Sequence, residues 1–131
     1  MPSRGEFPFS DDEALPTIPI ILSYADSSVS ANALLDTGST VNLLPYDIGL
    51  QLGAIWEEQT VRLPLTGNLT KVEARGLFVY VQIRNLEPVR LAFAWTQASQ
   101  VPLILGQTNL FREFDVCFQR SQSMVEITRF K

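Results

Sequence analysis

Ala33-Leu34-Leu35-Asp36-Thr37-Gly38-Ser39-Thr40-Val41-Asn42-Leu43-Leu44-Pro45 is the stretch on which the reading of this chain turns. An apolar run delivers a carboxylate, and a small hydroxyl residue and a glycine follow at once. Acid–base chemistry on a peptide bond calls for this order. The apolar strand withdraws the acid from water, Gly38 lets the backbone turn and approach closely, and Thr37 and Ser39 offer hydroxyls that can hold the carboxylate in place. The same residues also fit a plain strand end passing into a turn. A second segment downstream separates the two readings.

That segment is Val101-Pro102-Leu103-Ile104-Leu105-Gly106, a wholly apolar strand candidate ending in glycine. Gln107 to Phe114 then reads as a short helix with Leu110, Phe111 and Phe114 on one face. Together, Leu34-Leu35-Asp36-Thr37-Gly38-Ser39-Thr40 and Leu103-Ile104-Leu105-Gly106-Gln107-Thr108-Asn109-Leu110-Phe111 resemble the retropepsin family of aspartic proteases. The resemblance spans residues 17–130. It implies an all-β acid-protease barrel with one or two short helices, active as a two-fold homodimer on a peptide or protein substrate.

Residues 1–16 read as a flexible acidic N-terminal arm, with a sharper reading in which it docks on its own domain or a partner through Phe7 and Phe9; by the resemblance, residues 17–131 are the protease domain. Asp36, Thr37 and Gly38 are the expected catalytic residues, with Thr37 bonding across the two-fold axis. Leu34, Ser39, Pro102 and Ile104 are expected to contact substrate, as are Thr66, Gly67 and Asn68 at the tip of a flap hairpin. Two Asp36 carboxylates at close range cannot easily both ionise, so they share a proton and serve as base and acid on one water molecule; no metal or other cofactor is called for. Two positions depart from the retroviral pattern. Gln107 and Thr108 stand where Arg and then Asp or Asn are usual, which removes charges that help hold those dimers, and Ser39 replaces an alanine. Its hydroxyl is expected to favour the ionised form and a more acidic working range.

The chain has 131 residues, enough for one domain and too few for a two-lobed protease. Only one Asp-Thr-Gly is present, so a second carboxylate has to come from another copy. The net charge is −4 and the Lys and Arg residues are scattered, which argues against nucleic acid or an anionic membrane as partner. With no His and a single Cys117, zinc sites of the ordinary kinds, Ser-His-Asp triads, Cys-His dyads and disulfide frameworks are excluded within one chain. Cys117 reads as a small buried hydrophobe. Met1 to Pro16 lacks an apolar signal core, and the expected location is cytoplasmic.

From Thr17 onward the pattern is that of strands. Ile18 to Tyr24 and Val29 to Leu35 flank a turn at Ala25 to Ser28, and Pro45 to Gly53 reads as one short helix with Pro at its start and Gly after its end. Val61, Leu63 and Leu65 form one apolar set, Val79, Val81 and Ile83 a second, and Val89, Leu91, Phe93 and Trp95 a third; all three are expected in the core. Gly67-Asn68 marks a hairpin turn between the first two. Asp115 to Phe118 and Met124 to Phe130 close the chain as another hairpin. Two other readings stay open: a non-catalytic retropepsin-fold dimerisation or peptide-binding module, and a monomeric barrel in which Asp36 is dispensable.

Overall fold

In a computed structural model, residues 4–8, 15–63, 73–98, 100–107 and 110–129 are described. They form β1 (Arg4–Pro8), β2 (Thr17–Tyr24), β3 (Ser27–Leu35), β4 (Asn42–Pro45), α1 (Tyr46–Gln51), a 3-10 turn (Trp56–Glu58) and β5 (Arg62–Leu63). There follow β6 (Ala74–Gln82), β7 (Val89–Thr96), β8 (Ile104–Leu105), α2 (Leu110–Glu113), β9 (Phe114–Gln119), a second 3-10 turn (Arg120–Gln122) and β10 (Met124–Arg129). The domain is mostly β, as expected. Among the described residues no helix is long and apolar enough to cross a membrane.

Strict alternation drives the barrel. In β2, Ile18, Ile20 and Leu22 point inward while Thr17, Pro19 and Ile21 face out, and Val79, Val81, Leu91 and Phe93 continue the inner surface from β6 and β7. The strands run in the order β2-β3-β8-β4-β7-β6, and pairing of Ile21–Ser23 on β2 with Tyr80–Gln82 on β6 closes the ring. β5 attaches to the start of β6 through Arg62↔Arg75 and Leu63↔Ala74. Short β8 lies parallel to β3 and antiparallel to β4, so the chain on either side of Asp36 straddles it.

A second sheet, in the order β1-β10-β9, covers the barrel. Its Phe7, Phe114, Val125 and Ile127 join the same buried cluster as the barrel strands, so both sheets share one core. Arg4–Pro8 lies within the stretch expected as a flexible arm; it is a strand paired along its length with β10, and its Phe7 ring is buried beneath the Arg84 guanidinium. The closing hairpin falls where the sequence puts it, from Phe114 to Arg129.

The helix after β4 also matches its sequence signals. Pro45 occupies the N-cap position, and Gly53, at φ +85°, accepts the left-handed conformation beyond the last turn. Gly49 is needed for a different reason: a Cβ there would lie 2.2 Å from the Trp95 ring, which stacks on Tyr46 and donates to its carbonyl oxygen.

Three expectations are corrected. Val61 is exposed, because β5 is only two residues long and hangs outside the closed ring. Phe114 is buried but opens β9; α2 is a single turn that ends at Glu113. Cys117 is exposed, since its strand lies at the edge of the second sheet and it faces away from the shared core. Leu65 lies outside the described residues.

Candidate active site

The Asp36 loop is held by backbone. At the end of β3, the Leu34 N–H donates to the Leu103 carbonyl oxygen (2.8 Å), the Leu35 N–H to that of Pro16 (2.9 Å) and the Asp36 N–H to that of Leu105 (3.0 Å). Leu35 beside it is fully buried, whereas Asp36 is half-buried: the strand carries the carboxylate from the core to the surface of the barrel. The Gly38 N–H donates to Asp36 Oδ1 at 2.9 Å and the Ser39 N–H to the Asp36 carbonyl oxygen at 3.1 Å, closing a tight turn. One carboxylate oxygen is therefore fixed by the loop itself.

The two glycines of the paired motifs act through closeness. Neither has a positive φ. A Cβ on Gly38 would sit 3.2 Å from Asp36 Oδ1, and one on Gly106 would fall 2.4 Å from the Val41 carbonyl oxygen and 2.6 Å from that of Ser39. Gly106 is thus the point at which the segment after β8 lies against the backbone of the Asp36 loop. Gln107 fastens the same contact: its N–H donates to the Ser39 carbonyl oxygen (2.9 Å) and its side-chain amide to that of Thr37.

Ser39 behaves differently from its expected role. Its hydroxyl donates to the Val41 carbonyl oxygen at 2.7 Å, so its only proton is committed to the loop and not to the carboxylate. Thr37 is exposed and lines an open hollow of about 390 Å³ together with Gln107, Arg112 and Val116. Leu34 and Ile104 are neighbours across the β3–β8 pairing and both are half-buried. Ile104 also belongs to a small apolar cluster outside the barrel, with Leu43, Ala74 and Ala94 buried and Val41, Leu63 and Val101 partly so. Pro102 is exposed. Thr66, Gly67 and Asn68 lie outside the described residues.

Sequence reasoning missed two contributors. Asn42 is fully buried and hydrogen-bonded to Gly106 and to β7; the signal was an amide between Val41 and Leu43 in a strand that is otherwise apolar. The apolar cluster around Ile104 was hidden because its members come from five separate segments.

No family model matches the sequence, and no curated protein does. Among solved structures, the chain is similar to the crystal structure of a retropepsin-like aspartic protease from Rickettsia conorii, with a TM-score of 0.67 and 15% sequence identity over 98% of this chain and 94% of that one. The fold is that of a retropepsin-like barrel.

Proposed function

We propose that the chain is an aspartic endopeptidase that works as a homodimer, each copy supplying one Asp36. The observation that carries this reading is the Asp36 carboxylate itself, half-buried at a strand end, with one oxygen fixed by the Gly38 N–H and the loop clamped by Gly106 and Gln107. The Gly38 bond alone is what any Asx turn makes; the clamp by a second segment, through Gly106 and Gln107, is what sets this loop apart. Facing its copy, the free oxygen shares a proton with the partner's and activates a water molecule between them. One carboxylate takes the proton of the attacking water while the other hydrogen-bonds the developing oxyanion.

Substrate is an extended peptide with large apolar side chains flanking the cut. Leu34, Ile104 and the apolar cluster beside them offer the walls, Pro102 an outer rim, and the connection between β5 and β6, which carries Thr66, Gly67 and Asn68, the flap that bonds substrate backbone. The second copy docks at β9. β10 is paired on both sides within its own chain, so only β1 and β9 are left as edges of that sheet, and Val116 on β9 shares its hollow with Thr37, next to Asp36. The free, exposed thiol of Cys117 suits a reducing compartment such as the cytoplasm.

The test is a digest of a diverse peptide library by wild type and Asp36→Asn, from acidic to neutral pH. The wild type is expected to cut between large apolar residues and the variant to lose activity by roughly 10³-fold or more while keeping its circular dichroism spectrum. Retained turnover in the variant rules out the aspartic mechanism. A wild type that cuts nothing, yet is dimeric, moves the non-catalytic module to first place.

A further inference from the structure

We infer that Asn42 is a positioning residue: a buried amide that sets the placement of the Asp36 loop from the far side of Gly106. Only Asn42 and Thr96 are buried polar side chains among the described residues, and Asn42 has no measurable exposure. An amide at such a place costs stability unless both its ends are bonded. Both are. Oδ1 accepts the Gly106 N–H at 2.8 Å, and Nδ2 donates to the Ala92 carbonyl oxygen on β7 at 3.0 Å.

The consequence follows from what Gly106 touches. A Cβ on it would run into the Ser39 and Val41 carbonyl oxygens, the next residue's N–H bonds Ser39, and the residue before it accepts the Asp36 N–H. Moving Gly106 therefore moves both arms of the loop. Asn42 fixes Gly106 relative to β7, a strand paired along its whole length with β6 and so a rigid reference. Asn42 has no contact with the carboxylate and acts through this chain of backbone contacts.

The inference rests on the protease reading for its kinetic consequence, though its structural content can be measured without turnover. Asn42→Leu keeps the size and bonds neither Gly106 nor Ala92. Asn42→Asp keeps both bonds only when protonated, because a neutral carboxyl donates to the Ala92 oxygen and accepts from Gly106. Burial and the facing carbonyl disfavour its ionised form, so the new carboxyl titrates above the ordinary Asp range. The packed segments around it, residues 38–45, 91–96 and 103–107, carry no titratable side chain. Tyr46 and Asp47 at the start of α1 and Asp36 at the head of the loop are the nearest in sequence.

The experiment compares kcat and KM with wild type across pH, at temperatures where all variants are folded. Asn42→Asp is expected to stay within about threefold of wild-type kcat near pH 4 and to fall a further tenfold or so by pH 6.5, with KM little changed; Asn42→Leu is expected to lose about 10–100-fold throughout. Amide NMR signals of Asp36, Gly38 and Gly106 should move in Asn42→Leu, and in Asn42→Asp only at the higher pH. A purely packing role predicts lower stability with normal kcat in the folded fraction, and that result overturns the inference. So do unmoved Asp36 and Gly106 signals. If the wild type cuts no peptide while those signals move as stated, the positioning role stands and the protease reading falls.

Discussion

Closeness at single backbone positions governs the loop, and two substitutions measure it. In Gly106→Ala the new methyl meets two carbonyl oxygens at 2.4 and 2.6 Å, both in main chain that is itself hydrogen-bonded, so there is no flexible side chain to yield. The expected loss is about 3 kcal/mol in urea unfolding, at the upper end for overpacking, together with loss of activity; a loss below about 1 kcal/mol means the loop can move aside. Ser39→Ala removes one hydrogen bond to the Val41 carbonyl oxygen. That change is expected to cost about 1 kcal/mol and to leave the pH profile of any hydrolysis where it is, since the hydroxyl proton does not serve Asp36. A shift of the upper limb toward neutral restores the role that the sequence suggested for it.

At the level of elements, β1 is the informative case. Arg4-Gly5-Glu6-Phe7-Pro8 holds one large apolar side chain apart from proline, which is too little to announce a strand. It becomes one because β10 offers a free edge and the core offers a place for Phe7. Phe7→Ala removes a ring that is 1% exposed and leaves a cavity, so a loss of about 3–5 kcal/mol is expected in denaturant unfolding. A loss under 1 kcal/mol indicates that β1 is an ornament and that residues 17–131 fold without it. By contrast, α1 was legible to its ends. Pro45 and Gly53 act through φ, which is a local property, whereas the reason for Gly49 is the Trp95 ring, 46 positions later in a strand that no local pattern links to the helix.

For the whole molecule, the proposed dimer makes activity depend on concentration, with a steep fall on dilution, and makes Asp36→Asn chains poison wild type through mixed pairs. Its surface can be located with the protein's one thiol. Cys117 lies on the edge strand β9, so a short bismaleimide should join two copies through Cys117 at concentrations where the proposed cleavage is detected, and should fail once Val116→Pro interrupts the edge. Dimers by sedimentation that resist cross-linking with short and long reagents place the partner elsewhere. First-order activity over a wide dilution range, with a monomer in sedimentation, removes the shared site altogether. The profile itself should be bell-shaped, because a pair that shares one proton loses function when both carboxylates are protonated or both ionised.

Alternation from Ile18 to Leu22 and from Val89 to Trp95, the turn at Ala25, the caps of α1 and the closing hairpin are all written in short windows, because strand and helix periods and φ preferences act over a few residues. The two motifs around Asp36 and Gly106 were likewise visible. What tertiary structure alone decided is how those motifs meet. It put the Gly106 backbone against Ser39 and Val41, made Asn42 the joint between β4, β7 and the segment after β8, and left β9 instead of β10 with an open edge. Each of these is a contact between segments far apart in sequence, settled by which backbone groups remain unpaired once the barrel has closed, and no local pattern carries that information.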